Sequence, residues 1–329
     1  MKAIVYHKYG TTEQLRIEDV DTTIPKENEI RIKIYAVSIN DWDLGLLNGK
    51  PFVNRMLSGL FNPSKKILGS DIAGVVDSVG SKVIKYKVGD KVYGDLSDKW
   101  GGFAEYVCTT VDKVHNMPEG IGFEEAAAIP QAAMLAVQGL IDEGKIQKGQ
   151  KLLINGAGGG VGTYGVQIAK EYAMEVTGVD SGSKLQMLKN IGYDKVLDYN
   201  EVDFTETGDL YDIILDTKTN RPISKYLKCL KPGGSYIVVG GNTGRIFKLF
   251  ALSKWISKRS GMQIRIVMLK TNKDLPYINE LFEAGKLQSI IDEHRFTLEE
   301  TKEAMKLYES STFHGKVVIT ACNDVQKNQ

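Results

Sequence analysis

One stretch constrains this chain more than any other: Lys151-Leu-Leu-Ile-Asn-Gly-Ala-Gly-Gly-Gly-Val-Gly162. It begins as a short apolar run and ends where a helical pattern opens, at Val161–Ala173. Glycines without Cβ atoms let a backbone pass close to a bulky anion. The first turn of the following helix offers unpaired N–H groups and the positive end of its dipole. A strand, a glycine loop and a helix in that order make a seat for the pyrophosphate of a dinucleotide. A tight strand-to-helix corner is the plainer reading of such a loop, and the surroundings decide against it. From Lys151 onward, the apolar runs Leu152–Ile154, Val176–Val179, Val196–Leu197, Ile213–Leu215, Tyr236–Val239 and Ile264–Leu269 alternate with helical segments such as Lys184–Ile191. Six strands with helical crossovers predict a doubly wound parallel sheet.

The first third follows a different grammar. Ile30, Ile32 and Ile34 alternate with Arg31, Lys33 and Tyr35, and glycine turns break Asp71–Tyr93 into short strands with no helices between them. This pattern predicts a barrel-like β domain. Near residue 123 the chain becomes Ala-rich and helical over Glu124–Gly139, interrupted at Pro130. Helices are expected at Leu275–Glu283 and Leu298–Glu309, with a final strand, Gly315–Thr320, returning to the β domain. The expected division is residues 1–123 with 271–329 against residues 124–270, and Asn323–Gln329 read as a frayed tail.

Composition removes several function classes. Lys and Arg total 42 against 41 Asp and Glu, a formal net charge of +1, so no global footprint for nucleic acid or an anionic membrane exists and only a local patch stays open. Three cysteines, Cys108, Cys229 and Cys322, lie far apart with no Cys-x-x-Cys pair. Together with a polar start and no long apolar run, they predict a cytoplasmic protein without a membrane span. Four dispersed histidines, no Gly-x-Ser-x-Gly and no His-Glu-x-x-His leave hydrolase readings without support. Gly139–Lys145 mimics a phosphate loop, but Ile146 stands where Ser or Thr must bind magnesium.

A dinucleotide seat of this kind calls for an acid about 20 residues downstream, at the end of the next strand, to accept from the ribose 2′-OH. Asp180 stands there and by itself points to NAD(H). Ser181 and Lys184, just beyond, could instead hold a 2′-phosphate, so NADP(H) stays open.

Nine segments in series carry a resemblance to a known family. They are Ala36-Val-Ser-Ile-Asn40-Asp-Trp-Asp43, Leu68-Gly-Ser-Asp71-Ile-Ala-Gly-Val-Val76, Val88-Gly-Asp-Lys-Val92, Gly101-Gly-Phe-Ala-Glu-Tyr106 and Glu125-Ala-Ala-Ala-Ile-Pro130. Asn155–Gly162, Val176-Thr-Gly-Val-Asp-Ser181, Leu230-Lys-Pro-Gly-Gly234 and Gly315-Lys-Val-Val-Ile319 complete the set. In this order the chain resembles the medium-chain dehydrogenase/reductase superfamily, in its zinc-free quinone oxidoreductase branch, and especially the chloroplast-envelope-type homologues. The resemblance implies a GroES-like β-barrel catalytic domain and a Rossmann cofactor domain. By the same analogy, zinc-using relatives carry Cys where this chain has Asn40 and His-Glu where it has Ser70-Asp71, so no zinc is expected.

Without a Lewis acid, conjugated acceptors are the favoured hydride targets: a quinone or an α,β-unsaturated carbonyl, small and hydrophobic. The resemblance further implies that Asn40 and Asp41 line the nicotinamide end, with Asn40 and Asp43 as catalytic residues that position and do not act as acid or base; Asp43 otherwise reads as a plain turn-capping carboxylate. Gly158, Gly159, Gly160 and Val161 would receive the pyrophosphate. Ser181, Lys184 and Tyr199 would face the adenosine ribose; Gly240, Gly241 and Asn242 would pass under the nicotinamide ribose. Lys316 would close over the cofactor from the β domain.

Three departures stand out: Leu135 in place of a usual Thr, Thr217-Lys-Thr-Asn220 in place of a small glycine turn, and Asp180 in place of a neutral residue. The last opposes the NADPH use general in the branch it resembles, because a carboxylate repels a 2′-phosphate. The apolar segment Phe52–Phe61 reads either as a cover on the substrate side or as plain core. Ile264–Leu269, as an edge strand, could pair with its copy in a homodimer. Two rival functions remain: a dinucleotide-binding protein with little turnover, and an alcohol dehydrogenase or carbonyl reductase.

Overall fold

The computed structural model describes residues 1–322, apart from the side chain of Leu57. The expected tail Asn323–Gln329 lies outside the described residues. The chain forms two compact units, one of Met1–Gln131, Thr271–Glu283 and Ser289 onward, the other of Ala132–Lys270 with Ala284–Gln288. Residues 124–131, expected in the second unit, therefore pack with the first. The Gln131 N–H donates to the Asp71 carboxylate at 3.1 Å, and the Thr320 hydroxyl donates to Glu124 at 2.6 Å. The first bond ties the start of the helix Pro130–Val137, and the second the helix Phe123–Ala127, to strands of the first unit.

In the second unit the six expected strands form one parallel sheet. Its order is Lys195–Asp198, Glu175–Asp180, Lys151–Asn155, Tyr211–Asp216, Leu230–Val238, Gln263–Ile266. Counted along the chain this is 3-2-1-4-5-6, the doubly wound order, whose switch point lies between the strands ending at Asn155 and Asp216. Leu152, Leu153, Ile154, Ile214 and Leu215 are fully buried, as strands covered on both faces require. The last strand ends at Ile266, three residues short of the expected end, and Met268 is exposed.

The 18-residue helix Thr243–Ser260 was not anticipated. Only Leu249 on it is buried and most of its apolar residues face outward with the basic ones, so no buried apolar stripe announces it. The expected helix Glu124–Gly139 is instead Phe123–Ala127 and Pro130–Val137, followed by a wide π-type turn at Gln138–Glu143.

The first unit is a mostly antiparallel barrel-like sheet built around the strand Glu29–Ser38. That strand pairs with Asp71–Val79, Tyr106–Thr110 and Val318–Thr320. Register shifts at Arg31/Ile32 and Ile34/Ala36 bend it enough to serve three neighbours. Ile30, Ile32 and Ile34 are fully buried, as the alternation requires. Gly74 sits where this strand crosses Asp71–Val79; a Cβ there would lie 2.2 Å from the Lys33 carbonyl oxygen. The segment Phe52–Phe61 is a short helix, Phe52–Ser58, and a loop. Phe52, Met56 and Phe61 are exposed, so it is not plain core.

Candidate functional site

At the switch point of the parallel sheet, the strand Lys151–Asn155 runs into the glycine loop, and the loop into the helix Gly160–Glu171. Gly156 adopts φ +88°, and a Cβ there would lie 2.1 Å from the Thr217 hydroxyl. Gly162 packs the helix onto the loop: a Cβ would fall within 2.3–2.6 Å of the Ala157 backbone. The buried Tyr193 hydroxyl donates to the Gly162 carbonyl at 2.9 Å. Gly158 is buried, whereas Gly159, Gly160 and Val161 are partly open. The N-cap, Gly159, brings no side chain to the first turn of the helix. The loop thus presents Gly159–Val161 to an anion and uses Gly158 internally, which fits a pyrophosphate at a helix N-terminus.

Asp180 turns inward. One carboxylate oxygen accepts the Gly158 N–H at 2.7 Å, the other accepts the Ser181 N–H at 2.9 Å, and Lys184 Nζ lies 3.6 Å away. Both side chains are buried. The expectation that this carboxylate faces a ribose therefore needs correction: its oxygens are engaged with the loop, its own turn and a lysine. Ser181 and Tyr199 lie beside it, the Tyr199 N–H donating to the Asp180 carbonyl at 3.1 Å, and Tyr199 is half exposed.

Across the switch point, the unusual turn Thr217–Asn220 is organised by Asp216, a fully buried carboxylate that the sequence reading did not single out. It accepts the Asn155 amide at 2.8 Å, the Tyr236 hydroxyl at 2.7 Å and the N–H groups of Lys218 and Thr219. The Thr219 hydroxyl donates to the Gly240 carbonyl at 2.6 Å, and the Lys218 carbonyl accepts the Asn242 N–H. Gly241, at φ +106°, lies so close to Lys218 that a Cβ would meet its carbonyl oxygen at 1.9 Å. Gly240–Asn242 are therefore brought to the switch point. The Asn242 side chain, however, caps the helix Thr243–Ser260 by accepting the Arg245 N–H at 3.0 Å.

In the first unit, Asn40 precedes the helix Asp41–Asn48 and is buried. Its N–H donates to Asp43, whose other oxygen accepts the Gly69 N–H, both at 2.9 Å. Asp43 is thus a clamp between two backbone segments, and burial pushes its carboxyl up to about 6 despite those donors. The Asn40 amide N donates to Ser70 Oγ at 3.3 Å, and its carbonyl accepts from Lys316 Nζ at 2.6 Å. Lys316 also donates to the Ile39 carbonyl at 3.0 Å and lies 3.7 Å from Asp71 Oδ2.

Lys316 is buried inside this cluster, so its ammonium is committed to Asn40, Ile39 and Asp71 rather than extended over a cofactor as expected. Burial pushes the Asp71 carboxyl up to about 7, with Lys316 opposing and neighbouring Asp95 adding to the rise. Burial lowers the Lys316 ammonium, with Asp71 the leading opposing influence. Asp41, at the surface, accepts from the Tyr308 hydroxyl at 2.9 Å.

The sequence reading gathered Asn40, Asp41, Asp43 and Lys316 and named Ser70 and Asp71 only as the positions where zinc-using relatives carry His-Glu; the structure adds these two to the cluster. The local signal was a lone acid opening an apolar strand, Asp71-Ile-Ala-Gly-Val-Val76. Asn40 and Asp71 face a lysine amine and Ser70 backs Asn40, a set unlike the Cys/His set zinc prefers. Among the described residues no group of three or more His, Cys, Asp or Glu could hold a metal ion.

Comparison with known proteins agrees with this architecture. Residues 26–119 match the family model "Alcohol dehydrogenase GroES-like domain", and residues 191–319 match the one described as "Zinc-binding dehydrogenase". The chain is 32% identical over 331 residues to a 2-methylene-furan-3-one reductase of Solanum lycopersicum, covering 97% of this chain and 79% of that one. It is 29% identical, with the same coverage, to an Arabidopsis thaliana NADPH-dependent alkenal/one oxidoreductase. Among solved structures, the quinone oxidoreductase of Coxiella burnetii superimposes with a TM-score of 0.87 at 28% identity, covering 98% of this chain and 99% of that one. A glycine loop at the switch point of a 3-2-1-4-5-6 sheet, joined to a GroES-like unit and shared with these relatives over nearly the whole length, makes the chain a member of the medium-chain dehydrogenase/reductase superfamily, in its quinone oxidoreductase branch.

Proposed function

We propose that this protein uses NADPH, without zinc, to reduce a quinone or an α,β-unsaturated carbonyl compound. The observation that carries the reading is the buried Lys316 ammonium, held by the Ile39 and Asn40 carbonyl oxygens beside Asp71. A fixed internal cation there offsets the Asp71 charge and orients the Asn40 amide, and it disfavours a second cation in the same place. When bound, NADPH supplies a hydride, and a proton from water completes the reduction of the conjugated acceptor. Acceptors whose developing charge spreads onto a conjugated oxygen need no Lewis acid.

The chain's own part is positioning. Gly159–Val161 and the N-terminus of the helix Gly160–Glu171 would hold the pyrophosphate, and Gly240–Gly241, packed closely on the Thr217–Asn220 turn, stand where the nicotinamide ribose would pass. Asp180, already accepting two N–H bonds beside Lys184, presents little free negative charge to a 2′-phosphate, with Ser181 and Tyr199 alongside to receive it. That arrangement favours NADPH. The sheet edge Gln263–Ile266 supports a homodimer formed by strand pairing. A reducing cytoplasm suits a chain whose described residues contain no disulfide.

The test is the loss of reduced-nicotinamide absorbance with an ortho-quinone and with an enone, NADPH and NADH side by side, before and after dialysis against a chelator. The reading expects faster turnover with NADPH and no change after chelation. Chelator-sensitive reduction of simple aldehydes, with quinone and enone inert, would refute it.

A further inference from the structure

From Lys218 to Lys270 every charged residue of the chain is Lys or Arg, although the whole protein carries a formal net charge of only +1. The centre of this stretch is the helix Thr243–Ser260, which contains Arg245, Lys248, Lys254, Lys258 and Arg259 and no acid. Leu249 is buried and Ile256 partly buried, so the side bearing Phe247, Ala251 and Trp255 faces outward. These three residues are spaced four apart and form one ridge along the helix. Phe247 is 57% exposed and Trp255 60% exposed, and the neighbouring Phe250 is 67% exposed. Lys254 and Lys258 line one side of the ridge, Lys248 stands on the other, and Arg259 continues the ridge itself, its guanidinium 5.5 Å from the Trp255 ring centroid. No carboxylate among the described residues pairs with Lys248, Lys254, Lys258 or Arg259.

We propose that the outward ridge of this helix docks the protein on an anionic lipid bilayer surface, the aromatic side chains entering the headgroup region and the lysines and arginines meeting lipid phosphates. An exposed aromatic ridge edged by lysines and ending in an arginine, with no acid on the helix, suits a helix lying in a membrane interface, whose lysine stems snorkel toward the headgroups. The helix is not apolar enough to cross. A second copy fits this ridge poorly, because a two-fold contact would set these cations against each other with no acid to pair them. Single-stranded nucleic acid is bound by stacking platforms in a basic groove, whereas this is a convex ridge. The inference stands apart from the reductase reading, since docking needs neither cofactor nor acceptor.

The test is flotation of the full chain with phosphatidylcholine vesicles, with and without phosphatidylglycerol, in low and high salt, while Trp255 fluorescence is followed. The expected result is binding only to the anionic vesicles, with a blue shift of emission and release at about 0.5 M salt, where screening is short-ranged. The triple variant K248E/K254E/K258E should bind about a hundredfold more weakly or worse. The salt dependence of the wild type tests the electrostatic part without any variant. Absence of binding, salt-independent binding, or undiminished binding by the triple variant would overturn the proposal. So would a changed sedimentation mass in that variant with lipid binding intact, which would make the ridge a contact between copies.

Discussion

Replacing Lys316 by Met tests the buried cluster most directly, because it removes a cation and leaves its partners in place. At 3.7 Å the attraction between Lys316 and Asp71 is about 4–5 kcal/mol at an effective dielectric constant of ~20. The variant also leaves the Ile39 and Asn40 carbonyl oxygens without a donor they now have, about 1–2 kcal/mol together. Stranding a buried carboxylate costs about 3–5 kcal/mol, unless it takes up a proton.

That escape makes the effect depend on pH. In the folded wild type burial pushes the Asp71 carboxyl up to about 7, against an ordinary value of 3.8. A raised carboxyl makes the folded state the better proton binder, so its contribution falls as pH rises from about 4 to about 7 and then levels off. Lys316 holds the Asp71 value down, so Lys316→Met moves it above 7 and stability continues to fall at higher pH, by up to about 1.4 kcal/mol per pH unit. The expected loss is about 1–2 kcal/mol near pH 6 and about 3–5 kcal/mol near pH 8.5. Urea unfolding in a Trp255→Phe background reads it cleanly, because the remaining tryptophans, Trp42 and Trp100, both lie in the first unit. Adding Asp71→Asn should recover most of the alkaline loss. A pH-independent loss, one that grows toward acid, or simple additivity of the two substitutions would refute the reasoning.

Three further outcomes follow from the cofactor side. Lys184→Ala leaves Asp180 without its cation, and should shift preference from NADPH toward NADH by about tenfold in relative Kd, measured by fluorescence titration of both cofactors. Gly162→Ala forces a methyl group into the Ala157 backbone, and should cost about 1–3 kcal/mol in denaturant unfolding and weaken binding of both cofactors alike. Asp216→Asn disrupts a buried four-donor acceptor, and should destabilise the second unit by about 1–3 kcal/mol and raise KM for the cofactor; unchanged KM would mean that the Thr217–Asn220 turn plays no part in binding.

Much of the fold was legible because it is written locally. The buried parallel strands are short apolar runs, the barrel strand around Ile30–Ile34 alternates at period two, and the glycine loop needs only its own residues and its flanks to be recognised. The helix Thr243–Ser260 was missed for the complementary reason. It buries one leucine and exposes mixed apolar and basic residues elsewhere, so periodicity carries little signal.

The site divides along the same line. Composition, motif order and the glycine loop determined that this chain seats a dinucleotide at the head of a doubly wound sheet. Whether Asp180 faces a ribose or the protein interior depended on a 2.7 Å bond to Gly158, and sequence spacing is the same either way. Lys316 and Asp71 are separated by more than 240 residues, and only the closure of the barrel, with Val318–Thr320 laid against Glu29–Ser38, brings their charges together. Local backbone chemistry is encoded residue by residue and can be read from the chain; the burial and pairing of charges arise when distant segments meet, and only the tertiary structure decides them.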